Sequence, residues 1–211
     1  MKKAKKMTNS YKYILITGCT GVGKSTTYDF LCDAYKNHIG FADPYVDNPF
    51  IADAYSEGNK SFQSQVFFFK EFLKIHKIIS NTIDKVIIQE RSIFESIEIF
   101  CKLFMYSGKM DLNEFLTMRD LLSQVEGWIR KPDVVLHIKA DGKIIKKRIE
   151  SRNREFEKDI DEKFILTQNK LYEEWLGAFC DNQNIKLIEI DNSQMSIDET
   201  NQSILALLQQ V

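Results

Sequence analysis

Gly18-Cys19-Thr20-Gly21-Val22-Gly23-Lys24-Ser25 spells a complete Gly-x4-Gly-Lys-Ser phosphate-binding loop. It follows the apolar run Tyr13-Ile14-Leu15-Ile16, which reads as a strand, and it leads into a helical pattern opening at Lys24 or Ser25. The glycines let several backbone N–H groups converge on one point, where they cradle a polyphosphate. Lys24 adds charge for the terminal phosphates, Ser25 offers a hydroxyl to Mg²⁺, and the helix that follows aims its positive end at the anion. Residues Gly18 to Thr26 therefore read as a nucleoside triphosphate site. The alternative is a glycine-rich turn without a ligand, and a strand before the loop and a helix after it argue against that.

Outward from the loop, short apolar runs at Tyr11–Thr17, Gly40–Asp43, Val86–Gln89, Val134–Lys139 and Lys186–Ile190 read as five strands. Helical patterns lie between and after them, over Ser61–Ile83, Ile93–Tyr106, Leu112–Ile129, Gly142–Ser151, Asp161–Asp181 and Ile197–Leu208. In the third of these, Leu112, Phe115, Leu116, Leu122, Val125 and Ile129 are expected on one buried face. Alternating strands and helices predict an α/β fold, with a mostly parallel sheet covered on both sides.

The chain has 211 residues, 44% of them hydrophobic, and a net charge of −1, which fits one soluble domain and gives no sign of a general nucleic-acid or membrane-surface binder. Residues 1–11, with Lys2, Lys3, Lys5 and Lys6, read as a flexible tail and residues 12–211 as the domain. No apolar stretch follows those lysines that could form a signal-peptide core, and none is long enough to span a membrane. The four cysteines, Cys19, Cys32, Cys101 and Cys180, are scattered without metal-ligand spacing, which reads as reduced thiols and a cytoplasmic location.

In such a sheet a ligand binds beyond the carboxyl ends of the strands. Those ends deliver Gly18, Asp43, Glu90-Arg91, Ala140-Asp141 and Asp191. A phosphate cradle, carboxylates and an arginine on one rim are what phosphoryl transfer to a hydroxyl needs.

With Glu90-Arg91-Ser92 and the loop in place, the chain resembles the deoxyribonucleoside kinases over about Tyr13 to Asp191. The resemblance implies a three-layer P-loop kinase fold with a five-stranded parallel sheet and an arginine-bearing lid. It implies ATP as phosphate donor, Mg²⁺, a deoxynucleoside acceptor and 5′-monophosphate as product. Asp43-Pro44 stands where the family has Glu-Pro, which makes Asp43 the general base toward the sugar 5′-hydroxyl. The chain departs here, because Asp is one methylene shorter. Capping of the Asp47-Asn48-Pro49 turn is its alternative role, and Glu90 is the rival base. By the resemblance, Glu90 with Ser25 helps hold Mg²⁺, while Arg91 binds the 5′-oxygen region and the base carboxylate.

Gln65 matches the family glutamine that hydrogen-bonds the nucleobase, Tyr55 the tyrosine on the sugar 3′-hydroxyl, and Phe100 the phenylalanine that stacks on the base. Arg148, Arg152 and Arg154, in Lys147-Arg148-Ile149-Glu150-Ser151-Arg152-Asn153-Arg154, resemble the lid, whose arginines close over the phosphates while Glu157 reaches toward the sugar. Asn153 replaces the family glycine there, and Asn accepts a left-handed backbone. Phe72 and Ser96 stand where cytosine- and purine-accepting members pair an arginine with an aspartate. A neutral base pocket follows, relying on Gln65 and stacking and leaning toward pyrimidines or broad use.

Two other readings remain at this point. A thymidylate kinase shares the loop, the acid-arginine motif and the lid, but it needs an extra arginine for its substrate's phosphate, and Asp47–Phe72 contains none. A non-catalytic nucleotide-binding regulatory protein fits the Glu-to-Asp change. The helices over Ser61–Ile83 and Leu112–Ile129 either pair in a homodimer, as the resemblance implies, or only cover the sheet.

Overall fold

The computed structural model describes residues 11–56 and 59–209. The expected N-terminal tail lies outside them except for Tyr11, which is buried against the core. The chain runs β1 (Tyr13–Gly18), α1 (Lys24–Ala34), β2 (His38–Phe41), α2 (Ile51–Tyr55), α3 (Ser61–Ser80) and β3 (Val86–Glu90). It continues through α4 (Ile93–Glu95), a π-helical stretch (Ser96–Cys101), α5 (Lys102–Tyr106), α6 (Leu112–Val125), β4 (Val134–Lys139), α7 (Gly142–Arg152), α8 (Glu162–Gln183), β5 (Lys186–Asp191) and α9 (Ile197–Gln209).

The sheet order is β2-β3-β1-β4-β5, and every pairing is parallel. The inner strands β1 and β4 are apolar along almost their whole length because helices cover both faces, whereas the edge strand β5 alternates buried and exposed positions. On one face, Ile14, Ile16 and Leu136 pack with Leu31 of α1, Ile145 of α7 and Ile204 of α9. On the other, Leu15 and Val135 pack with Leu176 and Cys180 of α8, and Tyr13 and Ile87 with Ile79 of α3. The result is the expected three layers. From β1 the chain moves out to β2, returns through β3, then crosses to β4, so the sheet order reverses at β1. Register pairs Ile16 with Glu90 and Gly18 with Ile138, which brings the phosphate loop and Glu90-Arg91 out side by side at that reversal.

The structure corrects several sequence expectations. The second strand runs over His38–Phe41 rather than Gly40–Asp43, because His38 pairs with Val86 and Pro44 holds Asp43 in an extended conformation outside the sheet, before a 3₁₀ turn that its side chain does not cap. In α6 the buried residues are Phe115, Met118 and Leu122, while Leu112 and Leu116 are exposed. The helix stops at Val125, and Ile129 is buried from the loop beyond. The helix expected over Ile93–Tyr106 is divided by its π-helical segment, a feature frequent at functional sites. Asp141 and Asp191 lie at strand ends as expected, but they serve turns: Asp141 accepts the Lys143 N–H and Asp191 the Ser193 N–H, each at 2.8 Å.

Candidate active site

The loop after β1 turns on positive φ at Gly18, Gly21 and Gly23. At Gly18 nothing else fits, since a Cβ there would sit 2.3 Å from the Ile138 carbonyl oxygen. Lys24 lies back across the loop, its Nζ donating to the Cys19 carbonyl at 2.9 Å. Burial and then the nearby Arg91 charge push its ammonium down to about 8. Ser25, exposed at the start of α1, donates to Glu90 Oε1 at 3.0 Å.

Groups from distant parts of the chain set the loop's shape. Gln168 Oε1, from α8, accepts the Thr20 N–H at 3.0 Å and the Cys19 thiol at 2.9 Å. Asn192 Nδ2, just past β5, donates to the Val22 carbonyl at 3.0 Å, and Arg148 Nη1 donates to the same oxygen at 3.1 Å and to Asn192 Oδ1 at 2.8 Å. Burial pushes the Cys19 thiol up to about 12, so it remains an S–H donor in this contact. Neither amide was foreseen. Gln168 did leave a trace, as a polar residue at a fully buried place in the face of α8 formed by Ile165, Leu171 and Tyr172.

Beside the loop lies a cavity of about 410 Å³, walled by Thr20–Thr27, Asp43, Tyr55, Phe68, Phe72, Glu90, Arg91, Glu95, Ser96, Phe100, Arg148, Arg152, Arg154, Glu157 and Asn192 among others. Asp43 and Glu90 thus face the same space as Lys24. Arg91 Nε donates to Asp43 Oδ2 at 2.8 Å, in an ion pair with both side chains largely buried. Asp43 Oδ1 is buried with no partner. Burial raises the Glu90 carboxyl above the usual carboxylate range, with Lys24 pulling the other way. Arg91 itself has φ 63, costly for a residue with a Cβ. Its N–H donates to the Ile16 carbonyl at 3.0 Å and its carbonyl accepts from Gln89 Nε2 at 2.7 Å, which holds the strained peptide from both sides.

At the other end of the cavity Phe68 and Phe72 stack with ring centroids 6.3 Å apart. Ser96 and Phe100 reach the wall from the π-helical segment. The Phe100 ring lies under the Arg91 guanidinium at 4.4 Å. Tyr55 is on the wall, edge-on to Phe104 and Phe156, and burial raises its phenol. Gln65 is fully buried with Oε1 unpartnered, but it is not among the residues walling the cavity.

The arginine group follows α7. Asn153 adopts the expected left-handed conformation at φ 48. Arg152 holds Glu157 through two bonds of 2.6 Å, and Arg154 Nη1 lies 3.4 Å from the same carboxylate with its guanidinium 4.4 Å over the Tyr45 ring. Among the described residues no cluster of three or more His, Cys, Asp or Glu could hold a metal, and no helix is long and apolar enough to cross a membrane. The cysteines are free thiols.

This cradle with an acid and an arginine beside it has known counterparts. The family model described as deoxynucleoside kinase matches residues 14–211. The chain belongs to that family. It is a kinase whose chemistry is phosphorylation of a nucleoside. A deoxyadenosine/deoxycytidine kinase of Bacillus subtilis is 27% identical to it over 205 residues, 92% of each chain. A deoxyadenosine kinase of Dictyostelium discoideum is 28% identical over 166 residues, 78% of this kinase and 66% of its relative. In fold, the kinase superposes on the M. mycoides deoxyadenosine kinase with bound dATP at a TM-score of 0.81, with 23% identity, covering 93% of this chain and 98% of that one.

Proposed function

We propose that the kinase transfers the γ-phosphoryl group of ATP to the 5′-hydroxyl of deoxyadenosine and deoxycytidine, with Asp43 as general base. The observation that carries this is the pairing of Asp43 with Arg91 at 2.8 Å on the wall that also holds Lys24. The donor phosphates lie on the N–H groups of Gly18–Thr26 and on Lys24. As the sugar oxygen attacks in line, its proton passes to Asp43, while Arg91 steadies that carboxylate and the oxygen. Ser25 and Glu90, 3.0 Å apart, offer the hard oxygen donors that would hold a magnesium ion. Such an ion would supply charge neutralisation on the phosphates. Arg148, Arg152 and Arg154 act as a lid over the transferring group, Tyr55 and Glu157 hold the sugar, and Phe100 and Ser96 border the base. Excluding water from that space separates a kinase from a wasteful hydrolase. Residues 12–211 are one domain, working in the cytoplasm as a homodimer through faces such as that of exposed Leu112 and Leu116.

The choice of base is assigned to Gln65, which meets the nucleobase by the family resemblance although it does not itself wall the cavity. Its buried Oε1 has no donor, and a buried acceptor gains most from one. Adenine and cytosine both present an exocyclic amino group, which guanine and thymine lack at the equivalent position. The Bacillus subtilis relative is named for both of these bases and the Dictyostelium discoideum relative for deoxyadenosine alone, so this reading keeps broad use and drops the lean toward pyrimidines. Turnover of deoxyadenosine and deoxycytidine is expected to exceed that of deoxyguanosine and thymidine by about tenfold or more, the size of one buried hydrogen bond. Equal use of all four would remove Gln65 from the argument.

The mechanism is tested by Asp43→Asn. It is expected to lower kcat by about 10²- to 10⁴-fold, the usual size of general-base loss, with ATP binding retained. If Glu90→Gln instead gave the larger loss and Asp43→Asn left kcat intact, the base would be Glu90. The cavity arginines come from positions 91, 148, 152 and 154 and none from α2 or α3, so no added cation awaits a phosphorylated acceptor. Thymidine monophosphate is therefore expected to be inert, and ADP formation to require added deoxynucleoside.

A further inference from the structure

Glu95 follows the Glu90-Arg91-Ser92 motif and is 1% exposed. A carboxylate so placed costs several kcal/mol unless donors surround it. Its Oε2 is buried without a partner and burial raises the carboxyl above its ordinary range, while Oε1 collects two donors, the Thr17 hydroxyl at 2.6 Å and the Tyr172 hydroxyl at 2.8 Å. The Arg91 Nη1 stands 3.9 Å from the same oxygen, close enough for charge attraction but too far for a hydrogen bond. Tyr172 bridges that gap, because Nη1 donates to its hydroxyl at 3.2 Å while the hydroxyl donates onward to Glu95. Burial and the Glu95 charge raise the phenol well above its ordinary value, so it stays a donor.

The consequence falls on the guanidinium. Nε is taken by Asp43, Nη2 lies 3.4 Å from the Thr20 hydroxyl in the phosphate loop, and the face rests on Phe100. The remaining nitrogen is fixed by Tyr172 and, through it, by Glu95. The same acid grips Thr17 at the end of β1, where the strand becomes the loop. One buried carboxylate thus joins the strand that carries the donor cradle to the arginine that faces the acceptor.

We propose that Glu95, acting through the Tyr172 hydroxyl, is a positioning residue for the reaction, aiming Arg91 at Asp43 and the attacking oxygen. This rests on the assignment of Arg91 to the acceptor side. A buried acid serving only to hold α4 in place would alter stability and leave the chemical step alone.

Tyr172→Phe separates the two, since it keeps the ring that packs on His137 and removes only the oxygen. The expected result is a fall in kcat of about tenfold, the size of one hydrogen bond to a charged group, with the KM for ATP unchanged. Arg91→Lys, which has no planar fork to orient, is expected to lower kcat further. In that background Tyr172→Phe should add nothing, because there is no guanidinium left to aim. Wild-type kcat in Tyr172→Phe, or the same tenfold loss repeated on top of Arg91→Lys, overturns the inference. Wild-type kcat in Arg91→Lys overturns the acceptor-side role of Arg91 and this inference with it. An impaired Arg91→Lys beside an unimpaired Tyr172→Phe overturns this inference alone. Should Tyr172→Phe melt below the assay temperature, Glu95→Gln, of equal shape and without charge, is put through the same cycle and read by the same outcomes.

Discussion

The two sides of the cavity solve one problem, the holding of a charged reaction, in opposite ways. On the donor side the cradle is backbone, shaped by glycines and held by amides and an arginine that bind the loop's own N–H and C=O groups. The backbone there need not be rearranged when a phosphate arrives; only Lys24 has to leave the Cys19 carbonyl and Ser25 the Glu90 carboxylate. On the acceptor side every cation already has a carboxylate: Arg91 has Asp43, and Arg152 and Arg154 share Glu157. Those pairs keep the charges satisfied, and in the proposed reaction some of them would be exchanged for the transferring phosphoryl group. A preorganised donor site and an exchangeable acceptor site differ in what mutation should do to them.

The largest effect is expected where exchange matters most. Arg152→Ala should lower kcat by about 100-fold or more, in the range of a charge-stabilising arginine, and change ATP binding far less. If single-turnover kinetics instead showed full-rate chemistry with weakened ATP binding, Arg152 would belong to the donor side and the contrast would fail. Next comes the fixed side. Gln168→Leu leaves the Thr20 N–H and Cys19 thiol without their acceptor, a loss of about 1–3 kcal/mol. It is expected to lower the melting temperature and raise the KM for ATP, with kcat for saturating substrates nearly kept. A kcat defect with normal stability would mean that the loop is not preset by that amide.

The smallest effect is a proton. Lys24 is held down to about 8 by burial and then by the Arg91 charge. A bound polyphosphate favours the ammonium and raises that value. Above about pH 8, nucleotide binding should therefore take up a proton and weaken as pH rises, whereas at pH 7 uptake should be nearly absent. Calorimetry in two buffers of different ionisation enthalpy at pH 8.5 reads this directly. Equal heats in the two buffers would show that the lysine is already fully charged before nucleotide binds.

What could be read from the chain beforehand follows from how local each feature is. Asp43 was findable as the acid at the end of an apolar run, with its role given by the family resemblance at Asp43-Pro44. The loop is a contiguous octapeptide whose geometry is written in its glycines. Asn153 kept the left-handed turn after α7 for the same local reason. The start of β2 was misread because His38 and Ile39 gain their strand character only from pairing with β3. Leu112 and Leu116 looked like core on a helical wheel, yet the buried stripe of α6 runs through Met118, as decided by which side meets its neighbours. The π-helical insertion lies in a segment that is buried nearly all round, where no periodicity marks an extra residue in the turn.

The sequence by itself determined that a triphosphate cradle, an acid after the second strand and an acid-arginine pair after the third would meet along one rim, because strand direction and backbone dihedrals are local properties. Only the tertiary structure decided who holds these groups in place. Gln168 meets Thr20 across 148 residues, Asn192 meets Val22 across 170, and Tyr172 meets Arg91 across 81. A hydrogen bond depends on distances of a few tenths of an ångström between groups brought together by packing, and no pattern along the chain encodes that approach.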